Sequence, residues 1–135
     1  MNRILVSLLV FLWAFGAAAQ TQTAPGLANP ASVNCTQQGG TLAIERRPDG
    51  GQFGVCVFVD NYQCEEWALL RGECPKGGLR VTGYVTPAGR YCAITGGRYA
   101  IVSPPGTSPE RGTCSLPNGR NCDAEALYDG TCAAR

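Results

Sequence analysis

The chain of 135 residues contains no histidine. Histidine is the usual base of Ser-His-Asp and Cys-His sites and a common metal ligand, so its absence excludes these catalytic arrangements and histidine-based metal sites. Glu65 and Glu66 are adjacent carboxylates beside a tryptophan. We interpret them as a negatively charged first helical turn that complements the helix dipole, with a carboxylate active site as the alternative. The sequence therefore predicts a protein that is not an enzyme and has no cofactor.

An excess of charge of either sign is also missing. The eleven basic and ten acidic residues nearly balance, and Lys76 is the only lysine. No run of like charges occurs anywhere in the chain. A neutral protein lacks the electrostatic footprint that nucleic acids or anionic membranes require, so we expect no nucleic-acid partner.

Long apolar segments are missing beyond the N-terminus. A short positive start, Asn2-Arg3, precedes an apolar run at residues 4–16 and three alanines at 17–19. This run is shorter than the roughly 20 residues that cross a bilayer, and the pattern is typical of a signal peptide cleaved after Ala19. We expect residues 1–19 to be removed, which leaves no stable membrane anchor, and residues 20–28 to form a flexible lead. The location would be periplasmic or secreted, where disulfides persist.

The chain does have eight cysteines, in two sets with nearly the same spacing. Cys35, Cys56, Cys64 and Cys74 are 21, 8 and 10 residues apart, and Cys92, Cys114, Cys122 and Cys132 are 22, 8 and 10 apart. A glycine pair follows the first cysteine of each set, at 39–40 and at 96–97. The pattern indicates a tandem duplication. The predicted units are 29–74 and 87–132, joined by a connection at 75–86.

Each unit is about 45 residues long, a size at which an apolar core alone is usually insufficient. Disulfides would supply the missing stability. Zinc sites normally have cysteines two to four residues apart, and thioredoxin-like sites need Cys-x-x-Cys. The shortest gap here is 8 residues. We therefore expect all eight cysteines to form structural disulfides and no metal site.

One unit is predicted to run helix, strand, strand, helix. Asn29 is a good N-cap before Pro30, and the turn-forming residues between apolar runs favour a β-hairpin. The predicted elements are a helix ending at Gly39-Gly40, strands at 41–45 and 53–59 around a turn at 47–51, and a helix at 65–71 that ends at Gly72. The fold class is thus α+β: a small disulfide-rich protein built as a tandem repeat of a helix–β-hairpin–helix unit.

Trp67 and Arg71 are the candidate interaction residues, because tryptophan and arginine are enriched where proteins bind partners. The alternative, which we favour, is that Trp67 anchors the core of the unit and Arg71 covers its ring. In the second unit Glu125 and Asp129 stand at these positions.

The first unit resembles a known bacterial domain. The resemblance rests on Asn29-Pro30-Ala31-Ser32-Val33-Asn34-Cys35, Gly39-Gly40, Gly54-Val55-Cys56 and Glu65-Glu66-Trp67-Ala68-Leu69. These residues are similar to a small cysteine-containing domain of unknown function, whose proteins are commonly labelled hemolysins. The resemblance covers residues 29–74, and 87–132 look like a diverged second copy. It implies export and a disulfide-stabilised unit, and it implies no agreed activity.

The resemblance also favours one disulfide pairing. If each unit closes on itself in the same way, only three patterns remain. Members of the resembling family often carry only the first two cysteines, which favours Cys35–Cys56 with Cys64–Cys74, and Cys92–Cys114 with Cys122–Cys132. A continuous helix would hold Cys64 and Cys74 roughly 15 Å apart, too far for a disulfide, so Gly72 would have to end it. The other pattern we weighed is Cys56–Cys64 with Cys35–Cys74.

The sequence favours an exported, non-catalytic binding or envelope-associated module whose duplicated faces contact an unknown protein or polysaccharide. A secreted protease inhibitor is one alternative, with a rigid loop at 46–51 or 104–111 as the inhibitory segment. Membrane lysis, suggested by the family label, is the other. After signal removal no long apolar or basic amphipathic segment remains to support lysis.

Overall fold

A computed structural model describes residues 28–134. The predicted signal peptide and the predicted lead, except Ala28, lie outside the described residues. The helices are α1 (Pro30–Gln37), α2 (Glu66–Leu70), α3 (Pro87–Ile94) and α4 (Ala124–Tyr128). The strands are β1 (Thr41–Arg46), β2 (Gln52–Val57), β3 (Tyr62–Glu65), β4 (Leu79–Arg80), β5 (Arg98–Ile101), β6 (Gly112–Ser115) and β7 (Asn121–Asp123).

The two units share one plan, which confirms the α+β tandem repeat. The first has an antiparallel sheet in the order β1-β2-β3-β4, and the second has β5-β6-β7. The predicted hairpin of each unit is present, but a third strand, β3 or β7, extends it immediately before the second helix. The turn into β3 passes through Asp60 and Asn61, which adopt the left-handed conformation at φ 56° and 59°. Aspartate and asparagine tolerate this conformation better than most residues, and so allow the tight return.

The first helix of the first unit begins and ends where its sequence predicts. Asn29 Oδ1 accepts a hydrogen bond from Ala31 N at 2.9 Å and caps α1. Gly39 follows the helix at φ 84°, which suits glycine. Glycine at position 40 has a different cause, because a Cβ there would overlap the Cys56 sulfur. The glycine pair therefore combines a helix stop with close approach to a disulfide.

Four disulfides join the cysteines, each within its own unit. The pairs and their Cα–Cα distances are Cys35–Cys56 at 5.6 Å, Cys64–Cys74 at 5.9 Å, Cys92–Cys114 at 5.7 Å and Cys122–Cys132 at 6.0 Å. This is the pairing that the family resemblance favours. Cys56 and Cys64 lie opposite each other on β2 and β3, yet each bonds to a cysteine outside the sheet. The chain returns to Cys64 because α2 ends at Leu70 and Gly72 follows at φ 73°.

The largest apolar core lies between the two units. Val55 of β2 and Val81 of the connection pack with the buried residues of α3, β6 and α4. Helix α3 is accordingly more buried than α1: Tyr91 and Ile94 are 7% and 0% exposed. A smaller core within the first unit surrounds its two disulfides and includes Leu69. The units thus depend on each other for burial.

Polar contacts also clamp the units together. The Arg90 guanidinium on α3 donates two hydrogen bonds of 2.8 Å to the Glu45 carboxylate on β1. It also donates to Gln63 on β3 at 2.8 Å. A bidentate pair of this kind fixes orientation as well as distance. The predicted connection at 75–86 takes part too, because its β4 strand pairs with β3.

Among residues 28–134 no helix has the length and apolar character needed to cross a membrane.

Candidate functional site: a cleft between the two units

An open cleft of about 460 Å³ lies where the two units meet. Its volume falls within the range of roughly 300–1,000 Å³ that small-ligand pockets occupy. The lining residues are Phe53, Glu65, Trp67, Arg71 and Glu73 from the first unit, and Tyr91, Thr95, Leu116, Pro117, Asn118 and Ala134 from the second. Both sequence-predicted interaction residues therefore border one cavity, which neither unit forms alone.

Trp67 lies at the surface of α2 and does not anchor the core. Its side chain is 40% exposed, whereas Ala68 and Leu69 beside it are 0% and 3% exposed. The Arg71 guanidinium pairs with Glu73, its Nη2 lying 2.9 Å from Glu73 Oε2. The expectation that Trp67 anchors the core is therefore wrong. On this short helix Ala68 and Leu69 face the disulfides, which turns Trp67 toward the cleft.

Glu65 is the most buried charged lining residue, at 8% exposed. Its two carboxylate oxygens accept hydrogen bonds from Trp67 N at 3.1 Å and Ala68 N at 2.8 Å, so it caps α2. Burial raises the pKa of this carboxyl from its ordinary value of 4.5, against the lowering effect of these bonds and of Arg71. The predicted helix-terminal role of this acidic pair therefore describes Glu65 well.

The aromatic side of the cleft joins the units. The rings of Phe53 and Tyr91 meet edge to face with centroids 4.9 Å apart. The Tyr91 hydroxyl forms a hydrogen bond with Arg47, which lowers its pKa, but burial has the larger effect and raises it. Arg47 also pairs with Asp49 at 3.1 Å. The turn that follows β1 is thus docked against the second unit.

Glu66, the second carboxylate of the pair, points away from this cleft into a separate polar cluster. Its Oε2 accepts a hydrogen bond from Ser32 Oγ at 2.6 Å, and its Oε1 accepts one from Asn29 Nδ2 at 3.2 Å. A Cβ at Gly54 would lie 2.5 Å from Glu66 Cδ, so a larger residue there would displace the Glu66 carboxyl group from its partners. The cluster ties the start of α1 to α2 and β2, which gives these residues a structural role.

In the second unit, the space that corresponds to the Glu66 cluster is filled by different residues. Ala124 replaces the glutamate and Gly89 replaces the serine, while the Tyr99 ring enters from β5. The ring lies against Gly89 and against Gly112, where a Cβ would overlap it. Its hydroxyl donates to Glu110 Oε1 at 2.9 Å. One phenol therefore takes the place of a three-residue polar cluster.

The sequence identified Trp67 and Arg71 of the first unit as candidate interaction residues, and it missed Phe53, Glu73 and every lining residue of the second unit. A signal for Tyr91 was present: the second copy has Tyr91 and Ile94 where the first has Asn34 and Gln37. Apolar residues in only one of two equivalent helices indicate that this helix is covered. Across residues 28–134 no group of three potential metal ligands comes together.

The fold and the cleft define a small disulfide-rich α+β protein made of two repeated units. The family model described as "Domain of unknown function (DUF333)" matches twice, at residues 26–73 and 83–131. The chain belongs to this family and carries two copies of its domain.

The curated relatives match over a length close to that of one copy. The chain is 33% identical to "Uncharacterized protein YdbJ" of Escherichia coli K12 over 61 residues, which is 42% of this chain and 69% of YdbJ. It is 44% identical to "Uncharacterized protein YoaF" of E. coli K12 over 52 residues, which is 38% of this chain and 61% of YoaF. The same identity holds for YoaF of Shigella flexneri. These names support a family of unknown function and give no support to the hemolysin label. No solved structure matches.

Proposed function

We propose that this protein is a non-catalytic binding module that works outside the cytoplasm, and that the cleft between its units holds a segment of a protein or polysaccharide. The observation that carries the proposal is the exposed indole of Trp67 at a cavity that both units build. Four disulfides fit an oxidising compartment. The acidic pair offers little support for catalysis, since Glu65 caps a helix and Glu66 bonds Asn29 and Ser32.

A pull-down tests this function. The oxidised chain from Gln20 onward is immobilised, and periplasmic extract or culture medium is passed over it. The comparison is between wild type, Trp67→Ala and Leu70→Ala. Leu70 is a matched control because it lies on the same helix and is also 40% exposed, but it does not line the cleft. We expect a partner that wild type and Leu70→Ala retain and Trp67→Ala loses. Retention by all three proteins would place binding elsewhere, and retention of nothing would contradict a binding role.

The inhibitor alternative finds limited support in the arrangement of the loops. The loop at 46–51 holds Arg47 between Asp49 and the Tyr91 hydroxyl, so this arginine is not available to enter a protease pocket. The loop at 104–111 is more exposed, and the Arg111 side chain at its end is 66% exposed. Inhibition assays against serine and cysteine proteases at micromolar concentration would detect this activity, with Arg111→Ala as the informative variant.

A further inference from the structure

The walls of the cleft are mostly apolar, and their polar side chains are already occupied. The apolar lining consists of Phe53, Trp67, Leu116, Pro117, Ala134 and the ring of Tyr91. Thr95 Oγ1 donates to the carbonyl of its own helix at Tyr91, at 2.8 Å. Asn118 Nδ2 donates to Ala134 O at 2.9 Å. The walls therefore offer a ligand contact surface and few hydrogen bonds.

The cleft lining also offers negative charge. A carboxylate has about four acceptor positions, and the two backbone bonds that Glu65 accepts leave about two unused. Arg71 does not neutralise Glu65 by direct contact, because its guanidinium pairs with Glu73 instead. With one arginine and two glutamates, the charged lining residues sum to one negative charge.

These features discriminate between ligand classes. A sugar needs hydrogen-bond partners around its whole ring, and the walls supply few. A purely apolar side chain would desolvate Glu65 without a partner, which is costly. A lysine or arginine side chain suits both the apolar walls and the Glu65 carboxylate, because its aliphatic stem packs on apolar surface and its charged head pairs with a carboxylate. Aromatic rings such as Trp67 also attract cations.

We propose that the cleft binds a lysine or arginine side chain of a peptide segment, with the stem against Trp67 and Pro117 and the cationic head at Glu65. This inference rests on the proposed function and names the chemistry of its ligand. Charge complementarity selects the occupant: the cleft carries net negative charge inside a protein that is otherwise nearly neutral.

A cationic ligand gives binding a defined pH dependence. The charges of Arg71, which follows α2, and of Glu66 on that helix act on Glu65. Glu73, which follows that helix, lines the same cleft, as does Tyr91 of α3 with its neighbours Arg47 and Asp49. Because burial raises the pKa of Glu65, its negative charge develops above the ordinary value of 4.5. Affinity for a cation should rise with pH through this range, whereas a neutral ligand that accepts a hydrogen bond from protonated Glu65 would bind better at low pH.

Peptide titration tests the proposal directly. The probes are Ac-Gly-Gly-Lys-Gly-Gly-NH2 and the same peptide with norleucine, which has a similar stem and no ammonium group. An oligomer of N-acetylglucosamine represents the glycan class. Binding is followed by Trp67 fluorescence and by NMR chemical shifts, up to millimolar probe. In the chain from Gln20 onward Trp67 is the sole tryptophan, since the other is Trp13.

We expect the lysine peptide to shift cleft resonances and to bind at least about fivefold more tightly than the norleucine peptide at neutral pH, the contribution of one ion pair at a half-open site. Glu65→Gln should remove this preference and its pH dependence, and Leu70→Ala should keep both. The comparison of peptides on wild type needs no variant, so a misfolded Glu65→Gln would not obscure the result.

Two outcomes would overturn the inference. Equal or tighter binding of the norleucine peptide or of the glycan would refute the cationic ligand while leaving the cleft a binding site. The absence of any cleft response to the lysine peptide at millimolar concentration would also refute it, and the Trp67-dependent pull-down would then decide separately whether the proposed function survives.

Discussion

If the two units share one core, damage to the second unit must destabilise the first. Ile94 of α3 is 0% exposed and belongs to the apolar cluster that includes Val55 of the first unit. Replacing a fully buried isoleucine with alanine costs about 2–5 kcal/mol, because the lost contacts and the cavity add together. We therefore expect Ile94→Ala to lower the free energy of unfolding by about 3 kcal/mol. For a chain of this size the melting temperature should fall by more than about 10 °C.

The assay uses urea or thermal unfolding of the oxidised chain from Gln20 onward, followed by Trp67 fluorescence and by circular dichroism. Trp67 reports on the first unit, and the substitution lies in the second. Both signals should move together to the same new midpoint. Ile101→Ala is the control, because Ile101 is 60% exposed and should change stability by no more than about 0.5 kcal/mol. An unmoved Trp67 transition beside a shifted circular dichroism transition would refute a shared core.

Three further predictions concern single contacts. Arg90→Gln removes the bidentate bond to Glu45, and because both side chains are partly exposed we expect a loss of about 1 kcal/mol in urea unfolding. Gly112→Ala places a Cβ into the Tyr99 ring and should cost about 1–3 kcal/mol by the same measurement. Burial raises the pKa of Glu65, so the folded state holds its proton more tightly than the unfolded state. Wild type should therefore lose stability relative to Glu65→Gln as pH rises from about 4.5 through the raised pKa, measured as the difference in melting temperature across pH.

Each of these predictions has a matched control. Arg111→Gln breaks an exposed ion pair at 3.6 Å and should leave stability within about 0.5 kcal/mol. Thr113→Ala changes an exposed residue beside the critical glycine on β6 and should be nearly neutral. Glu125→Gln removes an exposed carboxylate from the equivalent helix of the second unit and should leave the pH profile of wild type unchanged. Equal effects of a variant and its control would contradict the corresponding contact.

The local features of the fold followed from residues with strong conformational preferences. Asn29 and Pro30 define the start of α1, and Gly39 and Gly72 end helices at positive φ. The sequence did not predict strands β3 and β7. They have only four and three residues, which are too few to show an alternating pattern. Such short strands are determined by pairing with a neighbour, which a local pattern does not record.

The candidate site was only half predictable for the same reason. Trp67 and Arg71 are recognisable by residue type, but their partners in the cleft come from a unit whose docking depends on long-range packing. The exposure of Trp67 also follows from that docking: Ile94 and Tyr91 fill the interface, so the indole is not needed in the core. The sequence does indicate this docking when the two copies are compared, because Asn34 and Gln37 of the first are replaced by Tyr91 and Ile94 in the second.

The space beside the first helix is filled by Glu66 in the first unit and by Tyr99 in the second. This difference limits how the gene can change. Recombination between the duplicated coding halves would exchange stretches of sequence at equivalent positions. A chimera that kept Glu66 and acquired the tyrosine of the other copy would force two side chains into one space, and the reverse chimera would leave the space empty. Both products should be less stable than the parent protein, which favours halves that diverge over halves made alike by gene conversion.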